Sequence, residues 1–162
     1  MHPDALSETY GLYSRQLYWY ALSLCGAPAL AEDLMQDSFV KAMLSYAGPP
    51  EDVKLWLFRV CRNQWIDRKR KDSRLAPLPD GGPSAADVPE SAQAREELGR
   101  VYAAMRALPE AMRELIALHC VMGIPHREIA ELWGVTPGAV RTLLCRSRLM
   151  LKKKLEEDGN EL

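Results

Sequence analysis

Near its carboxyl end the chain is dense in side chains that bind polyanions. Arg141, Arg146, Arg148, Lys152, Lys153 and Lys154 fall in a stretch that holds no acid. Placed on a helical wheel at roughly 100° per residue, Arg141, Cys145, Arg148 and Lys152 line one side, flanked by Thr142 and Arg146. Val140, Leu143, Leu144, Ser147 and Leu151 share another side. Cations neutralise phosphates, and short or forked side chains reach base edges in a major groove, so this face has the chemistry of a DNA reader. A second basic run carries Arg59, Arg62, Arg68, Lys69, Arg70, Lys71 and Arg74 against only Asp67 and Asp72. In it Asn63, Asp67 and Arg70 recur at i, i+4 and i+7, on a common helical face. An amide beside cations and an aromatic, Trp65, can hold a nucleic-acid backbone while engaging an exposed base. Asp67 itself is expected to pair along the helix with Arg70 or Lys71.

No catalytic constellation competes with these patches. His2, His119 and His126 are scattered, and there is no glycine-rich phosphate loop or nucleophile elbow. Neither an enzyme, a cofactor nor a small-molecule substrate is expected. The cysteines Cys25, Cys61, Cys120 and Cys145 form no CxxC pair, which fits free thiols in a reducing cytosol and argues against a disulfide framework or a metal site. No signal peptide is read at the amino terminus, and no apolar run approaches the roughly 20 residues that cross a bilayer. A cytoplasmic protein is expected.

The composition, 48% hydrophobic and 27% charged with a net charge of −1, is that of a globular chain with a core. The distribution of charge says more than its sum. Between the two basic runs, Leu75 to Leu98 carries Asp80, Asp87, Glu90, Glu96 and Glu97 against Arg95. Two basic patches around an acidic spacer are the footprint of a two-point anion binder.

The elements that must position these patches are helices. Leu6, Tyr10, Tyr13, Leu17, Tyr20 and Leu24 fall alternately four and three apart, and Gly26-Ala27-Pro28 stops that helix. A second helix is predicted from about Ala29 to Tyr46, with Leu30, Leu34, Phe39, Val40 and Met43 apolar. Gly48-Pro49-Pro50 breaks it, and a third runs from near Glu51 to about Lys71. Four prolines and Gly81-Gly82 between Leu75 and Glu90 preclude regular structure and read as a flexible linker. Helical pattern resumes with Leu98, Val101, Tyr102, Met105 and Leu108, then with Met112, Leu115, Ile116 and Cys120 up to Gly123. A short helix is predicted over His126 to Trp133 and a last one from Thr136-Pro137 to about Glu156, opened by a capping residue and a proline at the first helical position. The fold class expected is all-α, with two small helical domains at 1–74 and 95–162 joined by a linker over 75–94. The short helix, the glycine-led turn at Gly134 and the longer helix make a helix-turn-helix, in which Ala130 allows close approach and Ile129, Leu132, Val135 and Val140 supply the small core.

Beyond these patterns the chain resembles a known family. Ala31-Glu32-Asp33-Leu34-Met35-Gln36-Asp37-Ser38-Phe39-Val40-Lys41-Ala42 is similar to the AEDLxQexFxkA segment of region 2 of RNA polymerase σ factors. Trp56 to Arg70 is similar to its WLyriarNxxiDxxR continuation. Leu108-Pro109-Glu110 followed by the helix-turn-helix is similar to region 4. The blocks stand in the family's order, with no room for a region 3 domain, as in the extracytoplasmic-function (ECF) group of the σ70 family.

The resemblance implies a subunit that binds core RNA polymerase and directs it to promoters. It implies that the second helix docks on the β′ clamp helices through Asp33, Gln36, Asp37 and Phe39, although Phe39 reads equally as core. It implies that the loop Ala47 to Asp52, together with Arg62, Asn63, Trp65, Arg68, Lys69 and Arg70, serves the −10 element. Arg141, Thr142, Cys145, Arg146 and Arg148 would serve the −35 element, region 4 would meet the β flap, and an anti-σ factor is an expected partner. The acidic linker would allow the two domains to collapse and mask their DNA faces. Four departures stand out: Pro125 where a serine-type cap is usual, Cys145 on the reading face, the bulk of Trp133, and the loop Gly48-Pro49-Pro50, stiffer than most. The alternatives are a σ-like mimic that titrates an anti-σ factor, which predicts eroded basic patches, and a dimeric helix-turn-helix regulator, which needs a dimerisation element.

Overall fold

The computed structural model describes residues 1–72 and 92–160. The chain divides into two units, Met1–Gly81 and Gly82–Leu162. All regular structure among the described residues is helical. Of the linker expected over 75–94, only residues 92–94 are described, and they open a helix instead of continuing the linker.

In the first unit, α1 spans Pro3–Cys25, α2 Pro28–Ser45 and α3 Val53–Asp72. The α1 to α2 connection is set by two residues. Gly26 takes the left-handed conformation (φ 70°) and donates its N–H to the Leu22 carbonyl, while Pro28 stands in the first turn of α2. All three helices pack on one another, with Leu17, Tyr20, Ala21, Ala31, Ala42, Leu57, Phe58 and Cys61 fully buried between them. The rings of Tyr20 and Phe58 sit 4.9 Å apart at 50°, a tilted pair that joins α1 to α3. Burying each large side chain of this kind stabilises the unit by about 1.5–3 kcal/mol. The buried hydroxyls of Ser23 and Ser38 donate to carbonyls one turn back, so neither is left unpaired.

One expectation is corrected here. The α1 stripe is buried only from Leu17 onward, and Tyr10 is 44% exposed. In α2, Val40 and Met43 face solvent, because three helices offer α2 only one buried side.

The second unit contains α4 (Ala92–Arg106), α5 (Glu110–Ile116), α6 (His126–Trp133) and α7 (Pro137–Asn160). A π-helical turn, Ala117–Val121, extends α5 and carries the chain toward α6. Helices α4, α5 and α6 all pack on α7, around Leu108, Leu115, Leu118, Ile129, Val140 and Leu144.

Candidate nucleic-acid interface

The helix-turn-helix is built as its sequence dictates, except at Val135. Pro125 precedes α6 without a side-chain cap, and α6 starts at His126. Gly134 ends it at φ 68°, donating to the Ala130 and Glu131 carbonyls. Thr136 caps α7 through its hydroxyl, which accepts from the Ala139 N–H at 3.2 Å. Ile129, Ala130, Leu132 and Val140 are buried as expected, whereas Val135 is 45% exposed and does not belong to the core. The turn needs its backbone there: the Val135 N–H bonds the Ala130 carbonyl, and its side chain is left outward.

With Val140, Leu144 and Ser147 turned inward, α7 presents Arg141, Thr142, Cys145, Arg146, Arg148 and Lys152 to solvent on its other side. The Thr142 hydroxyl is turned back onto the Gly138 carbonyl at 3.0 Å. Arg148 reaches the Cys120 sulfur at 3.8 Å. All five residues expected to serve the −35 element are therefore exposed on one helix, on a surface of cations and short side chains.

Beneath this surface lies a pair no sequence signal marked. The imidazoles of His119, on the π-helical turn, and His126, at the start of α6, stack at 4.4 Å and 17°. The carbonyl of Ile124 accepts from Nδ1 of His119 at 3.0 Å, which places that ring's proton on Nδ1. Nε2 of His126 is buried and has no hydrogen-bond partner. Burial first, then His119, Arg141 and Arg148, hold the His126 pKa below its usual 6.5, so the ring is neutral at pH 7. The neutral ring also lines an open depression with Pro125, Arg127, Glu128, Pro137 and Arg141. Sequence reasoning missed the pair because its members belong to different elements and meet only through the π-helical turn.

In the first unit, Asn63, Lys69 and Arg70 are exposed on α3, and Arg62 and Arg68 are partly so. Trp65 departs from expectation. Its ring is only 6% exposed, and Lys69 Nζ stands 5.7 Å from the ring centroid. A base cannot stack on a face that packs against protein, so Trp65 acts as core and as a platform for Lys69. On α2, Asp33, Gln36 and Asp37 share an exposed surface, with Gln36 bonded to Glu32 at 3.3 Å. Phe39 lies off that surface, 5% exposed with its ring 4.8 Å from that of Tyr10. All four cysteines are free thiols, Cys25 and Cys61 buried, Cys120 and Cys145 exposed. Among the described residues no cluster of side chains could hold a metal ion.

Comparison with known proteins agrees with this geometry. The family described as Sigma-70 region 2 matches residues 9–75, and that described as Sigma-70, region 4 matches residues 98–151. The ECF RNA polymerase sigma factor SigM of Bacillus subtilis is 28% identical over 160 residues, covering 96% of this chain and 98% of that protein. The ECF RNA polymerase sigma factor RpoE of Cereibacter sphaeroides is 36% identical over 132 residues, covering 78% of this chain and 69% of that protein. Among solved structures, the sigma factor RpoE in complex with the anti-sigma factor NepR from Bartonella quintana superposes with a TM-score of 0.74 at 24% identity, over 93% of this chain and 96% of that one, a likeness of fold. CnrH in complex with the cytosolic domain of CnrY superposes with a TM-score of 0.71 at 25% identity, over 97% and 91% of the two chains. Two helical units whose exposed cations face outward, matched in order by region 2 and region 4, place the chain in the σ70 family of RNA polymerase σ factors, in its ECF group, as a transcription-initiation subunit that directs the polymerase to promoters.

Proposed function

We propose that the two units divide promoter reading between them, with residues 1–74 serving core polymerase and the −10 element and residues 95–162 serving the −35 element. The observation that carries this reading is the exposed face of α7 over its acid-free stretch from Arg141 to Lys154, with Arg141, Thr142, Cys145, Arg146 and Arg148 on one side of a helix whose other side is core. In the major groove the arginines reach phosphates or guanine edges, and Thr142 and Cys145 lie against bases. On α3, Arg62, Asn63, Arg68, Lys69 and Arg70 hold the unwound −10 strand, with Asn63 engaging a base and the cations its backbone. Asp33, Gln36 and Asp37 supply the exposed polar surface of α2 for the β′ clamp helices, and the second unit meets the β flap. Trp65 and Phe39 support these surfaces from within.

An anti-σ factor completes the set of partners. The solved relatives RpoE and CnrH were each captured with such a protein or with a cytosolic partner domain, which supports the same reading here. No helix among the described residues is long and apolar enough to cross a membrane, in keeping with a cytoplasmic subunit. The test is run-off transcription with the full chain, core RNA polymerase and a library of promoter fragments. Start sites sharing two spaced upstream elements establish the reading. Core binding without initiation favours a mimic, and duplex binding without core binding favours a plain helix-turn-helix regulator.

A further inference from the structure

Between α2 and α3 the chain runs through Tyr46, Ala47, Gly48 and Pro49 into a short 3-10 turn, Pro50–Asp52. Two successive prolines fix φ at 49 and 50. The Pro49 carbonyl is held twice, by the phenolic O–H of Tyr46 and by the Asp52 N–H at 3.1 Å. Tyr46 is itself anchored: its side chain is buried, and its ring packs against Trp56 of α3 at 5.1 Å and 58°. Gly48 passes so close to that ring that a Cβ there would lie 2.8 Å from the Tyr46 oxygen and 3.0 Å from Cζ. The ring cannot swing aside without giving up its packing on Trp56, so position 48 needs glycine for space. Burial of the phenol, and then the carboxylates of Asp52 and Glu51, raise the Tyr46 pKa above 10.0, so the hydroxyl stays a donor at neutral pH.

We propose that Tyr46 is a positioning residue for promoter reading, its ring and hydroxyl latching Gly48, Pro49 and Pro50 into the single shape that receives an unstacked base of the −10 element. The inference rests on the reading that the loop Ala47 to Asp52 serves that element. A loop already held in its binding shape loses less conformational freedom on capturing a base, and the fixed shape rejects bases that do not fit. Tyr46 need not touch the DNA. It acts through the Pro49 carbonyl and through the space it denies at Gly48.

The test uses the full chain with core polymerase, on promoter fragments randomised across the −10 element and on single-stranded −10 oligonucleotides. Tyr46→Phe removes only the hydroxyl. It is expected to weaken oligonucleotide binding about three- to tenfold and to flatten base preference at one −10 position. The −35 preference should stay unchanged, and the unfolding midpoint should fall by no more than the loss of that one hydrogen bond. Gly48→Ala should act alike, and it should cost little more when added to Tyr46→Ala, because the clash is then gone. The latch is overturned if Tyr46→Phe leaves the −10 profile intact while Gly48→Ala alters it, an outcome under which the loop still reads the −10 element. If replacing Gly48, Pro49 and Pro50 together by serines leaves the −10 profile intact, the −10 reading of the loop fails and the latch with it. Equal losses at both promoter elements with a lowered unfolding midpoint would make Tyr46 a general core residue and also overturn the proposal.

Discussion

The indole Nε1 of Trp133 donates a 3.1 Å hydrogen bond to Oε1 of Glu114, joining the end of α6 to the middle of α5. Glu114 is 4% exposed, a carboxylate inside the helical core of the second unit. The bulk of Trp133, unexpected at the sequence level, has its reason here: a buried carboxylate needs donors, and the indole supplies one without adding a charge. Trp133→Phe keeps most of the ring and removes that donor. Urea unfolding of the full chain should show a loss of about 1–3 kcal/mol for the second unit.

On α7 the arginines and the smaller residues should separate in their effects. Arg146→Ala and Arg148→Ala are expected to weaken binding to −35 duplexes and to lower the salt slope of log K by about one each where the contact is to phosphate. Cys145→Ala should instead change preference among −35 sequences with little effect on the salt slope. Anisotropy titrations over a range of salt concentrations distinguish the two.

Acid should destabilise the second unit through His126. Its pKa in the fold lies below the unfolded value of 6.5, so between the two the unfolded chain binds more protons. Stability from this group is fully present above pH 6.5 and is lost as pH falls through the folded pKa. His119 in the stack and the guanidinium groups of Arg141 and Arg148 resist the added charge from neighbouring elements. Thermal melts of the wild type should therefore decline from pH 7 to pH 5 more steeply than those of His126→Phe.

Trp65 and Asn63, close on α3, should part company. Trp65→Ala empties a core site and should cost the first unit about 3–5 kcal/mol in denaturant unfolding. Asn63→Ala on the exposed side should change stability by less than about 0.5 kcal/mol, while lowering initiation from promoters with an intact −10 element.

Reversing Asp33 and Asp37 together to lysine should weaken core polymerase binding about tenfold, with duplex DNA binding unaltered. Phe39→Leu, beneath that surface, should act mainly on the unfolding midpoint. Affinity capture of core enzyme at two salt concentrations reads the first effect and thermal unfolding the second.

Much of this architecture was legible in the residue pattern. Proline and glycine act locally, so Gly26, Pro28, Gly134 and Pro137 placed helix ends within a residue or two. The basic, acid-free stretch of α7 from Arg141 to Lys154 was equally plain, since a long helix has one periodicity and its inward side was marked by Val140, Leu144 and Ser147. Errors arose where a position's surroundings come from elsewhere in the chain. Trp65 looked available for a base because nothing local reveals that it turns into the core.

The sequence by itself determined the helices, their order, the two basic faces and the family, because each depends on short-range spacing that the backbone periodicity converts directly into a surface. Only the tertiary structure decided that Trp65 turns into the core while Val40 and Met43 turn out, that His119 and His126 stack, that Trp133 serves Glu114, and that Tyr46 closes over Gly48 to hold Pro49. Those relationships join different elements or turn the chain back on itself, and packing rather than propensity sets them, since a side chain finds its partner only after the helices around it have fixed the space it can fill.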